Sequence, residues 1–511
     1  MKSIVRHLLL LLAVTLTACQ VVAQGNEQTS FPPYWPTHGW RVTTPEQQGI
    51  DSAKLAEVFD YLREHHVNIH SFLLVRNGYL VLDAYFYPYD KTNLHDVASV
   101  TKSITTGLIG IALDQGKIQS LHRPVYTLFP NRKIAHLEAR KERLSVEHLA
   151  MMSAGLDCQF EPGEPTLQQM RQSGDWTQFM LDLPMVAEPG KQYVYCSGGM
   201  HLLSSIVTQA TGMGALNFAR QSLFAPLGIK AASWPSDAQG VSHGWGDLHL
   251  HPHDMAKIGY LWLNHGRWDG LQVVSAEWVA ESTRAHAITG RSNNYGYGWW
   301  MRSSGEPFFY EAVGRGGQRI SVVPEHNLIV VLTGGGFEPG DFSHLLLAAI
   351  KANQPLPANR AAGARLAAAV IAATQAPASQ NTAPLPSMAK TISGKTFWLD
   401  PNPAGFKSLT LRFTSAKDAS VRLTFTDHHT EEHPIGLDGR IKKSAGGRFN
   451  LPVGVKGYWE TNEVFVLDYD EIANINHFML RISFKGDRID LVLAEKTSDF
   501  EMKLGGRLRS L

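Results

Sequence analysis

The spacing of apolar residues divides the N-terminal part of the chain into helices and strands. An apolar run over residues 104–113 recurs at helical spacing and predicts a buried helix that begins close to Ser99. Residues 51–62 carry apolar side chains on one face and predict an amphipathic helix. Asn77-Gly78 separates two β-rich runs, and because both residues tolerate positive φ, the pair predicts a hairpin turn.

Strand patterns return late in the chain, after a long middle part in which helical patterns dominate as far as about residue 280. Strands on both sides of a helical part predict an antiparallel sheet built from the two ends, with a helical subdomain inserted between them. The predicted fold class is therefore α+β. The late strands are expected at residues 298–302, 308–313, 319–323 and 328–333.

The last third of the chain has a different pattern. Residues 354–387 are rich in Ala and Pro and predict a linker, with a short helix at 360–374. Over residues 388–511 short runs alternate between apolar and polar positions, which predicts a small antiparallel sheet or barrel as a separate domain. The first globular domain is then expected to cover residues 40–353.

Three histidines of this last part, His428, His429 and His433, raise the question of a metal site. Their neighbourhood is a charged turn between predicted strands, without a cysteine or a second well-spaced cluster of ligands. The sequence therefore predicts solvated loop histidines and no metal site.

The composition is that of a globular chain: 511 residues, 44% of them hydrophobic, with a formal net charge of +1. So small a net charge gives no electrostatic reason to expect a nucleic acid or an anionic membrane surface as partner. The first residues differ, because Lys2 and Arg6 precede a short apolar stretch at 8–16 and predict a signal for export.

The export segment ends in Leu-Thr-Ala-Cys at Cys19, which resembles a bacterial lipobox. That resemblance implies a signal peptide over residues 1–19, lipidation of Cys19 and a membrane-anchored lipoprotein that faces the periplasm. The alternative is ordinary cleavage after Ala23. Beyond this segment only Cys158 and Cys196 remain, and an exported chain can pair them or keep two buried thiols.

Ser99 and Lys102 form the first candidate for chemistry. They lie three positions apart at the start of the predicted helix, so the lysine follows on the same face, almost one turn later. Free amides at a helix N-terminus favour developing negative charge, and a lysine among apolar side chains can act as a base. The alternative is a capping serine with a solvated lysine. Ser387 and Lys390 match the same pattern by chance and serve as an internal control.

Two further segments can carry chemistry. Tyr195 and Ser197, just before a predicted helix, can supply a phenol for proton transfer and a hydroxyl that orients a substrate, although aromatic residues there usually pack. Gly314-Arg315-Gly316-Gly317-Gln318 lies between two predicted strands, where a free amide can complete an oxyanion hole with the Ser99 amide. The alternative for these glycines is an ordinary hairpin turn.

In this order and spacing, the three segments resemble the serine β-lactamase and penicillin-recognising hydrolase family, in particular its class C-like and esterase branch. The resemblance extends over about residues 40–353 and includes the phrase LSVEHLAMMSAGLDC. It implies a β-lactamase-like fold, with Ser99 as the acylated nucleophile, Lys102 as its partner and Tyr195 as the proton shuttle. It also implies that Cys158 lies in a loop along the same cleft as Cys196, so a disulfide is expected between them.

Two departures from the family pattern bear on the substrate. Ser197 stands where the family often has Asn, and no lysine or histidine corresponds to the usual third motif near Gly314. Because that cation commonly helps to bind a substrate carboxylate, typical β-lactam recognition is not expected. The Gly-x-Gly-Gly-Gln form at residues 314–318 instead resembles that of the esterases and linear-amide hydrolases of the family. Ser197, Arg315, Gly316 and Gly317 are the expected oxyanion and substrate-binding residues.

The sequence thus predicts a serine hydrolase that cleaves an ester or amide bond in a small molecule or peptide through an acyl-enzyme on Ser99. This chemistry implies neither a metal nor an organic cofactor. One alternative is a β-lactamase or a D-amino-acid peptidase. The other is a non-catalytic protein of the same fold that binds peptidoglycan.

Overall fold

The computed structural model describes residues 34–290, 293–302, 307–497 and 500–508. The predicted export segment, with Cys19 and Ala23, lies outside these residues. Within the described ranges, no helix has both the length and the apolar character needed to cross a bilayer.

The described strands of the first part of the chain are short to medium in length. They are β1 (Arg41–Val42), β2 (Ile69–Arg76), β3 (Tyr79–Tyr85), β4 (His95–Asp96), β5 (His249–Leu250), β6 (Arg267–Trp268), β7 (Leu271–Gln272), β8 (Ala287–Ile288), β9 (Asn293–Tyr295), β10 (Trp300–Arg302), β11 (Tyr310–Gly314), β12 (Gln318–Val323) and β13 (Leu328–Gly334).

The described α-helices lie mostly between and after these strands. They are α1 (Ser52–Glu64), α2 (Val100–Asp114), α3 (Ala139–Glu142), α4 (Val146–Ala150), α5 (Pro165–Gln172), α6 (Trp176–Asp182), α7 (Ser197–Thr211), α8 (Ala215–Ala219), α9 (Pro252–Leu263), α10 (Ala276–Ser282), α11 (Gly340–Ala349), α12 (Arg360–Ala373) and α13 (Ser387–Ile392).

The main sheet joins the two ends of the first part of the chain. Its order among the described residues is β1-β3-β2-β13-β12-β11-β10-β9-β8, and β2 pairs with β13 in antiparallel register. This central pairing places the early hairpin beside the late strands, with the helical part inserted between them, and confirms the predicted α+β fold. The turn between β2 and β3 has positive φ at both Asn77 and Gly78, as the hairpin requires.

Helices cover both faces of the main sheet. On one face, α1 begins where Asp51 accepts a hydrogen bond from the main-chain N–H of Ala53 at 2.8 Å, and it buries Leu55 and Phe59 against the sheet. Leu366 of α12 is buried in the same apolar cluster, so the helix predicted within the Ala/Pro-rich segment packs on this face. On the other face lies α2, whose first thirteen residues are all buried.

The last part of the chain forms an all-β barrel. Its strands follow the order β17-β16-β15-β14-β23-β22-β21-β20-β19-β18, and a pairing of Gly436 with Lys456 brings β17 onto β19. Their bounds are β14 (Thr396–Leu399), β15 (Phe406–Phe413), β16 (Asp418–Phe425), β17 (Thr430–Gly436), β18 (Lys442–Ser444), β19 (Val453–Trp459), β20 (Val464–Asp470), β21 (His477–Lys485), β22 (Arg488–Glu495) and β23 (Glu501–Leu508).

One histidine of the barrel differs from its prediction. His428 and His429 are exposed in the turn after β16, but His433 is buried in β17. Its Nδ1 lies 2.8 Å from the Ser444 hydroxyl and its Nε2 lies 3.3 Å from the Glu431 carboxylate. The prediction of a solvated loop histidine is therefore wrong for His433, because the strand turns its side chain inward and hydrogen bonds replace the lost water.

The barrel and the main-sheet region share one apolar core. Ile472 and Ala473, from the segment between β20 and β21, are buried in the same cluster as Ile104 of α2. The main-chain N–H of Asp96 donates to the Ala473 carbonyl at 2.8 Å. This segment of the barrel therefore lies directly beside the strand that leads to Ser99.

Candidate active site

The backbone before α2 presents Ser99. A carboxylate oxygen of Asp96 accepts a hydrogen bond from the main-chain N–H of Ala98 at 2.7 Å. Ala98 has a left-handed φ of 47°, a conformation that costs free energy in a residue with a Cβ and needs support from its surroundings. Ser99 follows at the N-cap position of α2, and its side chain makes no capping hydrogen bond. The hydroxyl is therefore available for another partner, contrary to the alternative of a capping serine.

That partner is Lys102. Its side-chain nitrogen Nζ lies 2.8 Å from the Ser99 hydroxyl oxygen and 2.8 Å from the carbonyl oxygen of Trp245. The side chain is 2% exposed, so the alternative of a solvated lysine does not describe this structure. The lysine nitrogen also lies 4.8 Å from the centre of the Tyr195 ring. A buried lysine held on a serine hydroxyl is the arrangement that activates a serine nucleophile.

Tyr195 is half-buried beside this pair. The Phe160 ring meets it edge-on at 4.8 Å, and the Trp300 ring stacks on it at 6.2 Å. Ser197, in contrast, lies in the first turn of α7 with its hydroxyl buried and without a hydrogen-bond partner among the described residues. The structure brings Tyr195 next to Lys102, but it does not bring Ser197 to the wall of the cleft described below.

A disulfide fixes the segment that carries Tyr195. Cys196 is bonded to Cys158, which lies in the loop that follows α4. The same loop continues to Phe160, whose ring contacts Tyr195. The bond thus ties together the two segments that flank the phenol.

The glycine-rich segment forms the turn between β11 and β12, and it also lies against the nucleophile. Gly314 pairs with Gln318 at the base of the turn. A Cβ at Gly314 would lie 2.5 Å from the carbonyl oxygen of Val97 and 3.0 Å from the Ala98 Cβ, so only glycine allows this approach. The segment is therefore a hairpin turn that contacts the backbone before Ser99; of its predicted site residues, Gly316 and Gly317 do not line the cleft described below.

Gln318 ends the third candidate segment, but the sequence analysis assigned no role to its side chain. Its side chain is fully buried; its amide nitrogen donates to the Gly334 carbonyl at 2.6 Å, and its amide oxygen accepts from the Gly334 N–H at 3.1 Å. These two bonds hold the turn against the end of β13. A polar residue directly after a Gly-Gly pair was the available sequence signal.

Ser99 lies in the wall of a cleft of about 840 Å³. Among the predicted residues, Ser99 and Arg315 line the cleft directly, and Lys102 lies behind Ser99. One guanidinium nitrogen of Arg315 donates to the Asn476 side chain of the barrel at 3.0 Å. The barrel supplies part of the lining, which local sequence patterns could not indicate: Arg448, Asn476, Phe478, Glu495 and Phe500.

Two carboxylates of the cleft have shifted pKa values. Burial raises the pKa of Asp96, the residue that supports the Ala98 turn. Burial also acts to raise the pKa of Asp247, but a hydrogen bond from His243 and the positive charges of Arg448 and Arg171 lower it overall. Burial thus acts against the charged form of Asp96, whereas the hydrogen bond from His243 and the two arginines favour the charged form of Asp247.

Comparisons with known proteins find related hydrolases and peptidases. Among curated relatives, a putative D-alanyl-D-alanine carboxypeptidase from Salmonella enteritidis is 22% identical, over 57% of this chain and 85% of the relative. The 6-aminohexanoate-dimer hydrolase from Paenarthrobacter ureafaciens is 23% identical, over 51% of this chain and 71% of the relative.

Solved structures show the same fold. A putative 6-aminohexanoate-dimer hydrolase from Bacillus anthracis superposes with a TM-score of 0.52 at 19% identity, over 62% of this chain and 89% of that one. The hydrolase EstCE1, described as having promiscuous acyltransferase activity, gives a TM-score of 0.50 at 15% identity, over 59% and 99% of the two chains. The family model named Beta-lactamase matches residues 55–353. The chain therefore belongs to the Beta-lactamase family of serine hydrolases.

Proposed function

We propose that this chain hydrolyses carboxylic esters and small linear amides through an acyl-enzyme on Ser99. The observation that carries the proposal is the contact of 2.8 Å between the buried Lys102 nitrogen and the Ser99 hydroxyl. Covalent acyl-serine chemistry is general in the family to which the chain belongs. Ser99 is the nucleophile, and Lys102 and Tyr195 carry the proton.

Acylation starts when the Ser99 oxygen attacks the substrate carbonyl carbon. In that step the hydroxyl proton passes to the side-chain amine of Lys102, and the carbonyl π electrons move onto oxygen to give a tetrahedral oxyanion. The oxyanion collapses, the bond to the leaving group breaks, and the leaving group takes a proton by way of Lys102 and Tyr195. The products of this half-reaction are an alcohol or amine and the acyl ester of Ser99.

Backbone amides are the proposed donors to the oxyanion. The first N–H groups of a helix have no intrahelical acceptor, and the Ser99 N–H is at that position in front of α2. The turn at Gly316 and Gly317 is the proposed source of the second amide, since Gly314 in the same turn lies against Val97 and Ala98.

Deacylation reverses the sequence with water. A water molecule gives its proton to the Lys102 and Tyr195 pair as its oxygen attacks the acyl carbon, and the Ser99 oxygen then leaves and regains a proton. The carboxylic acid departs and the enzyme returns to its starting state.

Uncharged esters and linear amides suit the cleft better than penicillins do. The third motif lacks the family cation that commonly binds a substrate carboxylate, and the nearby Arg315 is already bonded to Asn476. Side-by-side assays with nitrocefin, p-nitrophenyl esters and D-alanyl peptides test this ranking of substrates. A kcat/KM for nitrocefin above that of every ester and amide would reverse it.

A pre-steady-state burst tests the acyl-enzyme itself. Mixing the protein with p-nitrophenyl acetate is expected to release close to one equivalent of p-nitrophenol per chain before the slower steady state. Intact-protein mass spectrometry of the quenched mixture is expected to show one added acetyl group, which peptide mapping assigns to Ser99. The absence of both signals would favour the non-catalytic peptidoglycan-binding alternative.

A D-amino-acid peptidase is the second candidate. The observation in its favour is the similarity to chains named D-alanyl-D-alanine carboxypeptidase. Faster release of D-alanine from D-alanyl-D-alanine peptides than hydrolysis of any ester would select it.

For location, we infer that Cys19 carries a lipid that tethers the enzyme to a membrane in the periplasm. The charged and apolar pattern before Cys19 supports this proposal. A palmitate analogue is expected to label the wild-type protein and not the Cys19→Ser variant. An unlabelled wild-type protein that is free in the periplasm would instead favour cleavage after Ala23.

A further inference from the structure

A second cavity lies inside the barrel. It has a volume of about 610 Å³, within the range of roughly 300–1,000 Å³ that is usual for small-molecule sites. Much of its wall is formed by apolar side chains that point inward from five strands: Phe406, Leu423, Phe425, Leu480, Leu493 and Met502.

Of the carboxylates in this wall, Glu431 and Asp427 have partners within the protein, whereas one carboxylate oxygen of Glu471 is buried without a hydrogen-bond partner among the described residues. The Glu431 carboxylate accepts a hydrogen bond from the Tyr469 hydroxyl at 2.9 Å and lies 3.3 Å from His433. Asp427 accepts a hydrogen bond from the His429 N–H at 2.9 Å. What these groups leave uncovered for a ligand is mainly apolar surface.

The barrel cavity adjoins the cleft of Ser99. Arg448 and Phe478 line both spaces. Two contacts fix the barrel at this junction, the bond from the Asp96 N–H to the Ala473 carbonyl and the bond from Arg315 to Asn476. Phe500 also lines both spaces, so the two spaces share a wall of three side chains.

We propose that the barrel cavity binds an unbranched apolar acyl chain of the substrate. This proposal rests on the proposed function, in which Ser99 attacks the carbonyl at the head of that chain. The acyl part stays attached to Ser99 until water releases it, and the mainly apolar wall next to the cleft suits a chain that extends past Arg448 and Phe478. Each methylene that is fully buried contributes about fourfold to binding or to kcat/KM.

The first test is a series of p-nitrophenyl esters from acetate to octanoate. The wild-type kcat/KM is expected to rise by about tenfold or more along the series, because the added methylenes enter the barrel. A flat or falling series would overturn the proposal and leave the acyl-enzyme chemistry standing, since acetate hydrolysis reports on that separately.

The second test blocks the cavity. Ala404 is half-buried in the loop before β15 and lines the cavity, so Ala404→Trp is expected to remove the preference for octanoate while the rate with acetate is kept. The matched control is Ala416→Trp, a half-buried loop position of the same barrel outside both cavity walls, which is expected to behave as wild type. An unchanged preference in Ala404→Trp would contradict the assignment.

A binding measurement makes the test independent of turnover. The full-length Ser99→Ala variant is expected to bind 11-(dansylamino)undecanoic acid with an increase in fluorescence, and Ser99→Ala/Ala404→Trp is expected to lose at least tenfold in affinity. Equal binding by the two proteins, or no binding, would overturn the pocket. If the wild type hydrolyses no ester at all, the proposed function fails, and this measurement alone decides the pocket.

Discussion

The chain contains the Ser-x-x-Lys pattern twice, and the two copies have different surroundings. Ser99 and Lys102 lie at the start of a buried helix, and their side chains are hydrogen-bonded at 2.8 Å. Ser387 and Lys390 lie on the short helix α13, and both are exposed. The same four-residue pattern therefore has the geometry of the proposed chemistry only where the fold removes the lysine from water and holds it on the serine.

The reason is energetic. An exposed lysine keeps its hydration and its rotamer freedom, so a contact with a nearby serine contributes little. Lys102 has lost both, and the Trp245 carbonyl and the Ser99 hydroxyl replace the water around its nitrogen. Matched changes at the two copies are therefore expected to have very different effects.

The largest difference is expected between Ser99→Ala and Ser387→Ala. Loss of the nucleophile is expected to lower kcat for p-nitrophenyl acetate by about 10³-fold or more. Ser387→Ala removes an exposed hydroxyl and is expected to leave kcat unchanged. Steady-state kinetics check this, with circular dichroism as the control for folding. Activity that survives in Ser99→Ala would end the assignment.

Substitutions of Lys102 and Lys390 are expected to show the same contrast, with a smaller loss of activity. Lys102→Ala is expected to lower the acylation rate by about 10²-fold or more, because the serine loses its proton acceptor. Lys390→Ala is expected to have no effect. Stopped-flow measurement of the burst phase separates acylation from deacylation. Equal rates for the two variants would remove Lys102 from the mechanism.

The phenol next to Lys102 gives a third comparison. Tyr195→Phe keeps the ring contacts with Phe160 and Trp300 but removes the hydroxyl, and a loss of about 10²-fold in acylation is expected. Tyr458→Phe, at a tyrosine of the barrel that is 53% exposed, is the matched control. A near-normal rate for Tyr195→Phe would assign the phenol to packing alone.

The disulfide gives a further comparison between the two copies. Among the described residues, it holds the Tyr195 segment beside Ser99 and Lys102, and no disulfide holds the surroundings of Ser387 and Lys390. Cys158→Ser/Cys196→Ser is expected to lower the free energy of unfolding by about 2–4 kcal/mol and to reduce activity, since the Tyr195 segment loses its tie. Chemical denaturation with and without reductant measures the effect, and the double variant serves as its own control because reductant should no longer matter. Two free thiols in active, oxidised wild-type enzyme would contradict the bond.

The contrast between a buried and an exposed group also holds for carboxylates of the barrel, where the smallest effect is expected. Burial raises the pKa of Glu471 to about 7. The folded state favours the protonated form of this carboxyl group. Its contribution to the free energy of unfolding is therefore fully present below the unfolded-state pKa of about 4.3, and it falls by up to about 3 kcal/mol as the pH rises to 7.

Glu471→Gln is expected to remove that fall, and Glu463→Gln, at an exposed glutamate, is expected to retain it. Denaturation midpoints at pH 5 and pH 8 measure the difference. A wild-type profile that is flat over this range would contradict the shift.

The fold could be predicted in outline because its signals are local. The helix after Asp51, the Asn77-Gly78 hairpin and the late strands follow from periodicity and turn chemistry, and the structure has them within a few residues. His433 could not be predicted from its neighbours, since only the register of β17 decides that its side chain is buried.

By itself the sequence determined the elements, the order of the three segments and the candidates Ser99, Lys102 and Tyr195. Tertiary structure alone decided which Ser-x-x-Lys copy is buried, that Gln318 holds the glycine turn, and that the barrel completes the cleft through Arg448, Asn476 and Phe478. The physical reason is range: periodicity and turn chemistry act over a few residues, whereas burial and the contact of Arg315 with Asn476 join positions 161 residues apart.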